Sequence, residues 1–227
     1  MFTPKTIDFL VENRIMNSRE WYAAHREDFR RLVFEPLAQL VCEVAPAVSA
    51  IDPLIVTEPK TDKTISRIYR DTRYSNDKLL YREEMWFSLK RDKRRFPHYP
   101  EFFFVLGPNG FSYGCGYYEM SRAALDNFRR LILLRDPAAE AALDAFREQD
   151  RFELGGGKYK RTRYPDQPEE RREWLDRRGD LCLIRHGRDA RLLFSDRLGE
   201  TLSRDFSLAR PVYELFLLAE DAPSVDR

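Results

Sequence analysis

The spacing of apolar residues changes twice along this chain, and that change constrains the fold more than any other feature. Up to about residue 48, apolar residues recur at the spacing of amphipathic helices. Around residues 84–90 they alternate with other residues one by one, which is the spacing of a strand. From residue 121 onward the helical spacing returns. The sequence therefore predicts an α+β fold.

The middle of the chain is predicted to form a central antiparallel β-meander, with strands at about 84–90, 101–106 and 111–118. The stretch Phe102–Leu106 is wholly apolar, which is typical of a central strand that is buried on both faces. A turn is indicated by Gly107-Pro108-Asn109-Gly110. Helices are expected to pack on this sheet.

Two residues mark boundaries among the N-terminal helices. Asn17 is expected to cap a helix, with Glu20 at the position that completes a capping box. Pro36 lacks the N–H that a helix interior needs. We therefore expect Pro36 to start a new helical stretch that ends before Asp52-Pro53.

The second half of the chain carries similar signals. Ser121 and Asp136-Pro137 are expected to start two helices, because both are preferred at helix N-termini. Gly155–Gly157 is expected to form a loop, followed by a surface helix over about 168–178. One further strand is expected at about 181–185. Two last helices are expected to break at Pro211.

Length and the absence of linkers favour a single domain over residues 1–227, with a frayed tail from about 221. The 39 basic and 38 acidic residues balance, so the overall charge gives no reason to expect nucleic-acid or membrane binding. No apolar run approaches the ~18 residues that a membrane span needs, and no signal peptide is visible. With three widely spaced cysteines that suggest reduced thiols, we expect a cytoplasmic protein.

Several well-known motifs are absent. Gly155-Gly156-Gly157-Lys158 differs from a phosphate loop because Tyr159 stands where Ser or Thr would bind magnesium. The three histidines are far apart, so no metal site is predicted. The sequence indicates no particular cofactor and does not show whether the protein is an enzyme.

Two segments rich in charged and aromatic residues are the candidates for a functional site. Guanidinium groups bind phosphate or carboxylate bidentately, and tyrosines can stack on a ligand or donate a hydroxyl group. Asp71 and Glu20 are candidate catalytic bases, if burial raises their pKa. The candidate ligand-binding residues are Arg67, Arg70, Arg73, Asp77, Lys78, Tyr69, Tyr81, Arg19 and Trp21.

Two other interpretations of these charges stay open. Arg67–Lys78 could be a salt-bridge network that only holds a long segment in place, in a non-enzymatic interaction module. The run between the first two predicted strands could contact nucleic acid. Its basic residues are Arg91, Lys93, Arg94 and Arg95.

The two candidate segments also resemble a known family. Asn17-x-Arg19-Glu20-Trp21-Tyr22 and Arg67–Lys78 are similar to the signature of domain of unknown function 2461, a family that is widespread in microbes and fungi. The likeness continues at Gly114–Tyr118, at Lys160–Tyr164 and in the helix after Pro168, so it covers nearly the whole chain and supports one domain. The resemblance supplies no reaction. It implies that both segments belong to the family's signature, which gives a shared functional site the same weight as a structural salt-bridge network.

Overall fold

The computed structural model describes residues 1–73 and 76–222. Tyr74 and Ser75 of the charged segment, and the part of the predicted frayed tail beyond residue 222, lie outside the described residues. The described chain consists of helices and a five-stranded antiparallel sheet, which confirms the predicted α+β fold.

The first helices precede the sheet. They are α1 (Pro4–Met16), α2 (Arg19–Ala24), α3 (Arg26–Phe29), a π-helical turn (Arg30–Phe34) and α4 (Glu35–Ile51). The stretch Arg26–Ile51 is long and apolar enough to cross a membrane by length and composition alone. A core helix passes the same test, and α4 buries a stripe that includes Leu37, Val41 and Val44.

The strands are β1 (Met85–Leu89), β2 (Glu101–Gly107), β3 (Gly110–Gly116), β4 (Glu153–Gly155) and β5 (Cys182–Gly187). The later helices are α5 (Arg122–Leu133), α6 (Pro137–Glu148), α7 (Glu169–Leu175), α8 (Ala190–Leu193), α9 (Leu198–Leu208) and α10 (Arg210–Asp221). Ser121 and Asp136 cap α5 and α6 as predicted, since each side chain accepts a hydrogen bond from the first helical turn.

The sheet has the strand order β1-β2-β3-β5-β4. The meander of β1, β2 and β3 is confirmed, but β5 and β4 extend it, so that β3 and not β2 is the middle strand. The expectation that β2 is buried on both faces was wrong. Phe102, Phe104 and Leu106 are buried, whereas Phe103 and Val105 between them are partly exposed. Only one face of this strand is fully covered, as is common in antiparallel sheets.

One of the two predicted boundaries among the N-terminal helices differs from the structure, and the other is confirmed. Ser18, not Asn17, caps α2, because its Oγ accepts a hydrogen bond of 3.1 Å from the backbone N–H of Trp21. Asn17 ends α1 in a left-handed conformation with φ 46°. The predicted start at Pro36 is confirmed, since Pro36 lies in the first turn of α4, which ends before Asp52. The π-helical turn precedes α4, where the missing N–H of Pro36 interrupts the α-helical hydrogen-bond ladder. The hydroxyl of Thr6 donates to the Leu32 carbonyl there, at 2.8 Å.

Strand β4 replaces part of the glycine loop expected at 155–157. It pairs antiparallel with β5, with Leu154 opposite Leu183 and Gly155 opposite Cys182. Glycine is suited to this strand because a Cβ on Gly155 would lie 2.7 Å from the Cys182 sulfur.

The chain divides into two compact units. The first unit contains Met1–Leu89, Phe103–Tyr113 and His186–Ser203, and the second unit contains Lys90–Phe102, Gly114–Arg185 and the residues from Arg204 onward. In the first unit Phe87 stacks on Phe104 with ring centroids 5.6 Å apart. In the second unit Phe128 packs on Phe216 at 5.8 Å. A single domain over the whole chain stays a prediction.

Candidate functional site

The charged segment after residue 64 is extended and lies in the first unit. Its backbone pairs with residues 80–88, which lead into β1. The N–H of Arg70 donates to the Leu80 carbonyl at 2.8 Å, and the N–H of Arg82 donates to the Ile68 carbonyl at 2.9 Å. This antiparallel pairing puts Tyr69 opposite Tyr81. The described residues 71–73 and 76–79 therefore lie at the tip of a hairpin-like segment.

The two candidate segments meet in space. The side-chain oxygen of Asn17 accepts a hydrogen bond of 2.7 Å from the Leu80 N–H. Tyr81 is completely buried, and its hydroxyl donates to the Ser18 carbonyl at 3.4 Å. The rings of Tyr22, Tyr69 and Tyr81 form a cluster with centroid distances of 5.1 to 5.5 Å. Helix α2 and the hairpin-like segment are thus held against each other.

An ion network holds the hairpin-like segment to α1. Asp77 accepts hydrogen bonds from Arg70 and, at 2.9 Å, from Arg14. Arg14 also donates to the Tyr81 carbonyl at 3.1 Å and lies 3.2 Å from Glu83. The backbone N–H of Leu79, followed by Arg70, lowers the pKa of Asp77 to about 2. Asp77 is therefore ionised at neutral pH and acts as an internal partner of both arginines.

The tip has its own local contacts. Arg73 binds Asp71 through two guanidinium nitrogens, at 2.9 and 2.6 Å. The Arg73 side chain and its backbone N–H hold the pKa of Asp71 well below its usual range. Lys78 donates to the Thr72 carbonyl at 2.9 Å.

Helix α2 places its three candidate residues differently. Arg19 and Glu20 are exposed, and Glu20 accepts a hydrogen bond of 2.8 Å from the Ser18 hydroxyl. Its own backbone N–H and that hydroxyl lower the pKa of Glu20. Trp21 stacks on His25 at 4.0 Å and packs on Phe9 at 5.7 Å.

The pKa directions bear on the role of the two carboxylates. The pKa of Asp71 and that of Glu20 are lowered, since hydrogen bonds outweigh the opposing effect of burial at both residues. A carboxylate with a lowered pKa is a weak base at neutral pH. We therefore assign proton transfer to neither residue, and their catalytic role stays a prediction.

A cleft of about 470 Å³ opens beside the tyrosine cluster in the first unit. We call it the Arg67 cleft. One wall comes from α2, α3 and the π-helical turn, and the other from residues 61–69. It is lined by Tyr22, Arg26, Glu27, Phe29, Arg30, Phe34, Thr61, Asp62, Arg67, Ile68 and Tyr69.

Three arginines line the Arg67 cleft, with two carboxylates. Arg67 lies 2.7 Å from Asp62, and Arg30 lies 3.2 Å from Glu35. Arg26 is exposed, and its guanidinium group makes no hydrogen bond or ion pair with any residue that the structure describes. The cleft therefore combines an aromatic wall with an excess of positive charge.

Only Arg67 and Tyr69 of the predicted ligand-binding residues line the cleft. Sequence reasoning missed Arg26 and Arg30, although a signal was present. Tyr22, Arg26, Arg30 and Phe34 follow one another at four-residue steps, which places them along one side of a helix.

The basic run between β1 and β2 belongs to the second unit. Arg91 lies over the rings of Phe96 and Tyr99, at 5.2 Å from each centroid, and Arg95 lies 5.7 Å from the Phe96 ring. Arg94 lies 3.5 Å from Asp92. Lys93 is exposed.

No cluster of three His, Cys, Asp or Glu side chains suited to a metal ion occurs in residues 1–73 and 76–222. The three cysteines are free thiols. Burial raises the pKa of Cys115, and it raises the pKa of Cys182 to about 11, so neither thiol is activated.

The fold and the cleft define an α+β protein in which the N-terminal helices and a charged hairpin-like segment enclose one concave surface. The model of the family described as "Conserved hypothetical protein (DUF2461)" matches residues 5–215, and the chain therefore belongs to this family. The predicted membership is confirmed. No curated protein and no solved structure matches the chain.

Proposed function

We propose that the Arg67 cleft binds a small ligand that carries an aromatic ring and a phosphate or carboxylate group. The observation that carries this proposal is the arrangement of Arg26, Arg30 and Arg67 beside the rings of Tyr22 and Tyr69. Guanidinium groups bind such anions with strong, directed hydrogen bonds. The volume of about 470 Å³ lies within the range of small-molecule sites.

The charge state of the cleft supports an anionic ligand. Arg26 has its guanidinium donors available, whereas Asp62 and Arg67 neutralise each other in part. Burial, and after it the neighbouring Tyr69, raises the pKa of Tyr22. Tyr22 therefore stays protonated at neutral pH and can donate a hydrogen bond to the ligand.

The ion network around Asp77 has a positioning role in this proposal. It fixes the segment that carries Arg67 and Tyr69 against α1, although Arg70 and Asp77 themselves do not line the cleft. The proposal is ligand binding, with no reaction assigned. Because the cysteines are free, a reducing cytoplasmic setting is part of the same proposal.

The test is a calorimetric titration with phenyl phosphate, which joins an aromatic ring to a dianion. Phenol and inorganic phosphate, each at the same concentrations, test the two halves alone. We expect phenyl phosphate to bind more tightly than either half. Arg30→Ala should weaken the binding of phenyl phosphate about tenfold or more, because it removes one charge-assisted hydrogen bond.

Arg31→Ala is the matched control. Arg31 follows Arg30 directly, and both side chains are 65% exposed, but Arg31 pairs with Asp28 and does not line the cleft. Its replacement should leave the affinity unchanged. Equal weakening by both variants, or no binding of phenyl phosphate at millimolar concentration, would overturn the proposal.

A further inference from the structure

A second cluster of arginines lies in the second unit, around the ring of Tyr159. The guanidinium carbon of Arg163 lies 4.1 Å from the ring centroid, that of Arg178 lies 5.3 Å away, and that of Arg129 lies 5.7 Å away. Such distances are typical of cation–π contacts. Three positive charges thus converge on one aromatic ring.

Among the residues that the structure describes, Arg129 alone of the three arginines has hydrogen-bond partners for its guanidinium group. Arg129 is buried, and it donates to the carbonyls of Leu175 and Arg177 at 3.1 and 2.8 Å. Arg163 and Arg178 are exposed, and neither guanidinium group has a carboxylate partner in the part of the chain that the structure describes. Both are available to an outside anion.

A hollow of about 750 Å³ lies beside this cluster, and we call it the Tyr159 hollow. Tyr118, Tyr159, Arg163 and Tyr164 are among its lining residues. Tyr118 is 88% exposed, so its ring is open to a partner. The hollow therefore offers aromatic surfaces and cations together.

The acidic residues of the Tyr159 hollow are partly occupied by internal contacts. Asp126 lies 3.8 Å from Arg129 and 4.0 Å from Arg122, and Asp180 accepts a hydrogen bond of 2.8 Å from the Gly157 N–H. Glu119 is exposed.

The adjoining chain adds further positive charge. Lys160 and Arg161 are exposed, and no carboxylate partner for either lies among the described residues. The segment from Lys158 to Tyr164 contains four basic residues, two tyrosines and no acidic residue. Cations that alternate with aromatic rings match a chain of bases and phosphates better than a single small anion.

We infer that the Tyr159 hollow binds single-stranded nucleic acid, with bases stacked on Tyr118 and Tyr164 and phosphates on Arg163 and Arg178. This surface belongs to the second unit and shares no lining residue with the Arg67 cleft. It is also distinct from the basic run at Arg91–Arg95. A negative result for one proposal therefore does not contradict the other.

The test is fluorescence anisotropy with a labelled 12-nucleotide oligouridylate, titrated with the full chain at several salt concentrations. We expect saturable binding that weakens as salt increases. Arg163→Ala should reduce the slope of log affinity against log salt by about 0.7, because this is what each phosphate contact with a single strand contributes to the slope. Tyr118→Ala should weaken binding about fivefold or more at constant slope, the loss of one stacked base.

Arg94→Ala is the control for the basic run, since Arg94 is an exposed arginine outside the hollow. It should bind as the unmodified chain does. The inference is overturned by absence of binding at low salt, by equal affinity for a 12-base-pair duplex, or by loss of binding in Arg94→Ala with retention in Arg163→Ala. The melting curves of these variants should match that of the unmodified chain. A change in binding can then be attributed to the lost contact and not to a change in folding.

Discussion

The carboxylate of Asp77 accepts a hydrogen bond of 2.9 Å from the guanidinium group of Arg14, which lies 63 residues earlier in the chain. This contact joins the tip of the hairpin-like segment to α1. Because Arg70 binds the same oxygen atom, one carboxylate holds two arginines from different parts of the first unit. The contact therefore gives Asp77 a structural role.

Asp77→Asn should lower the melting temperature, and the loss should depend on pH. The pKa of Asp77 is lowered from its ordinary 3.8 to about 2, so the folded state favours the ionised form. Its stabilisation is complete above the ordinary pKa and is lost as pH falls through about 2. The difference between variant and unmodified chain should be constant above about pH 5 and shrink below pH 4.

Asp71→Asn is the control for this measurement. Asp71 is exposed and pairs with Arg73 two residues away, a contact that the unfolded chain can also make, so its replacement should change the melting temperature much less. The melting temperatures of both variants and of the unmodified chain are measured at intervals from pH 2 to pH 8. An Asp77→Asn effect that stays the same down to pH 2 would contradict the assigned role of the ionised carboxylate.

Thr6→Val should destabilise the first unit by about 1–3 kcal/mol, because it removes the hydroxyl that donates to the Leu32 carbonyl. Thr6 is buried, so water does not replace the lost donor. Thr6→Ser keeps the hydroxyl and should recover most of the loss. Chemical denaturation measures both, and equal destabilisation by the two variants would show that packing of the methyl group is the cause.

Gly114→Ala should destabilise the second unit by about 1–3 kcal/mol or more, as overpacking does. A Cβ at this position would lie 1.8 Å from the Leu183 carbonyl oxygen of β5, and this oxygen belongs to backbone that cannot move away cheaply. Gly157→Ala is the control, since its closest contact is the flexible Arg178 side chain at 3.1 Å. Urea denaturation compares the variants, and similar midpoints would contradict the tight approach of β3 to β5.

The elements that the sequence predicts best are those with strong local signals. Alternation at Met85–Leu89 and the caps at Ser121 and Asp136 depend only on neighbouring residues. Strand β4 lacks such a signal, because its three residues end in glycine and are held by pairing with β5. Long-range pairing of that kind leaves little trace in a local pattern.

The candidate site shows the same limit. The sequence suggested that Arg67, Arg70 and Arg73 act as one group. In the structure each of them pairs with a different carboxylate. Arg67 lines the cleft beside Asp62, Arg70 binds Asp77, and Arg73 binds Asp71. The three-residue spacing of these arginines does not predict their different partners, because the segment is extended and its backbone pairs with residues 80–88. Arg26 and Arg30 complete the cleft only through folding.

The most direct test of the central claim, that the Arg67 cleft is a binding site, is side-chain NMR of the arginine Nε–Hε groups during titration with phenyl phosphate. Single arginine-to-lysine variants assign the signals of Arg26, Arg30 and Arg67. We expect these three signals to shift together and to saturate with one dissociation constant, while those of Arg31 and Arg73 stay in place. Shifts spread evenly over all five, or no shift at saturating ligand, would contradict it.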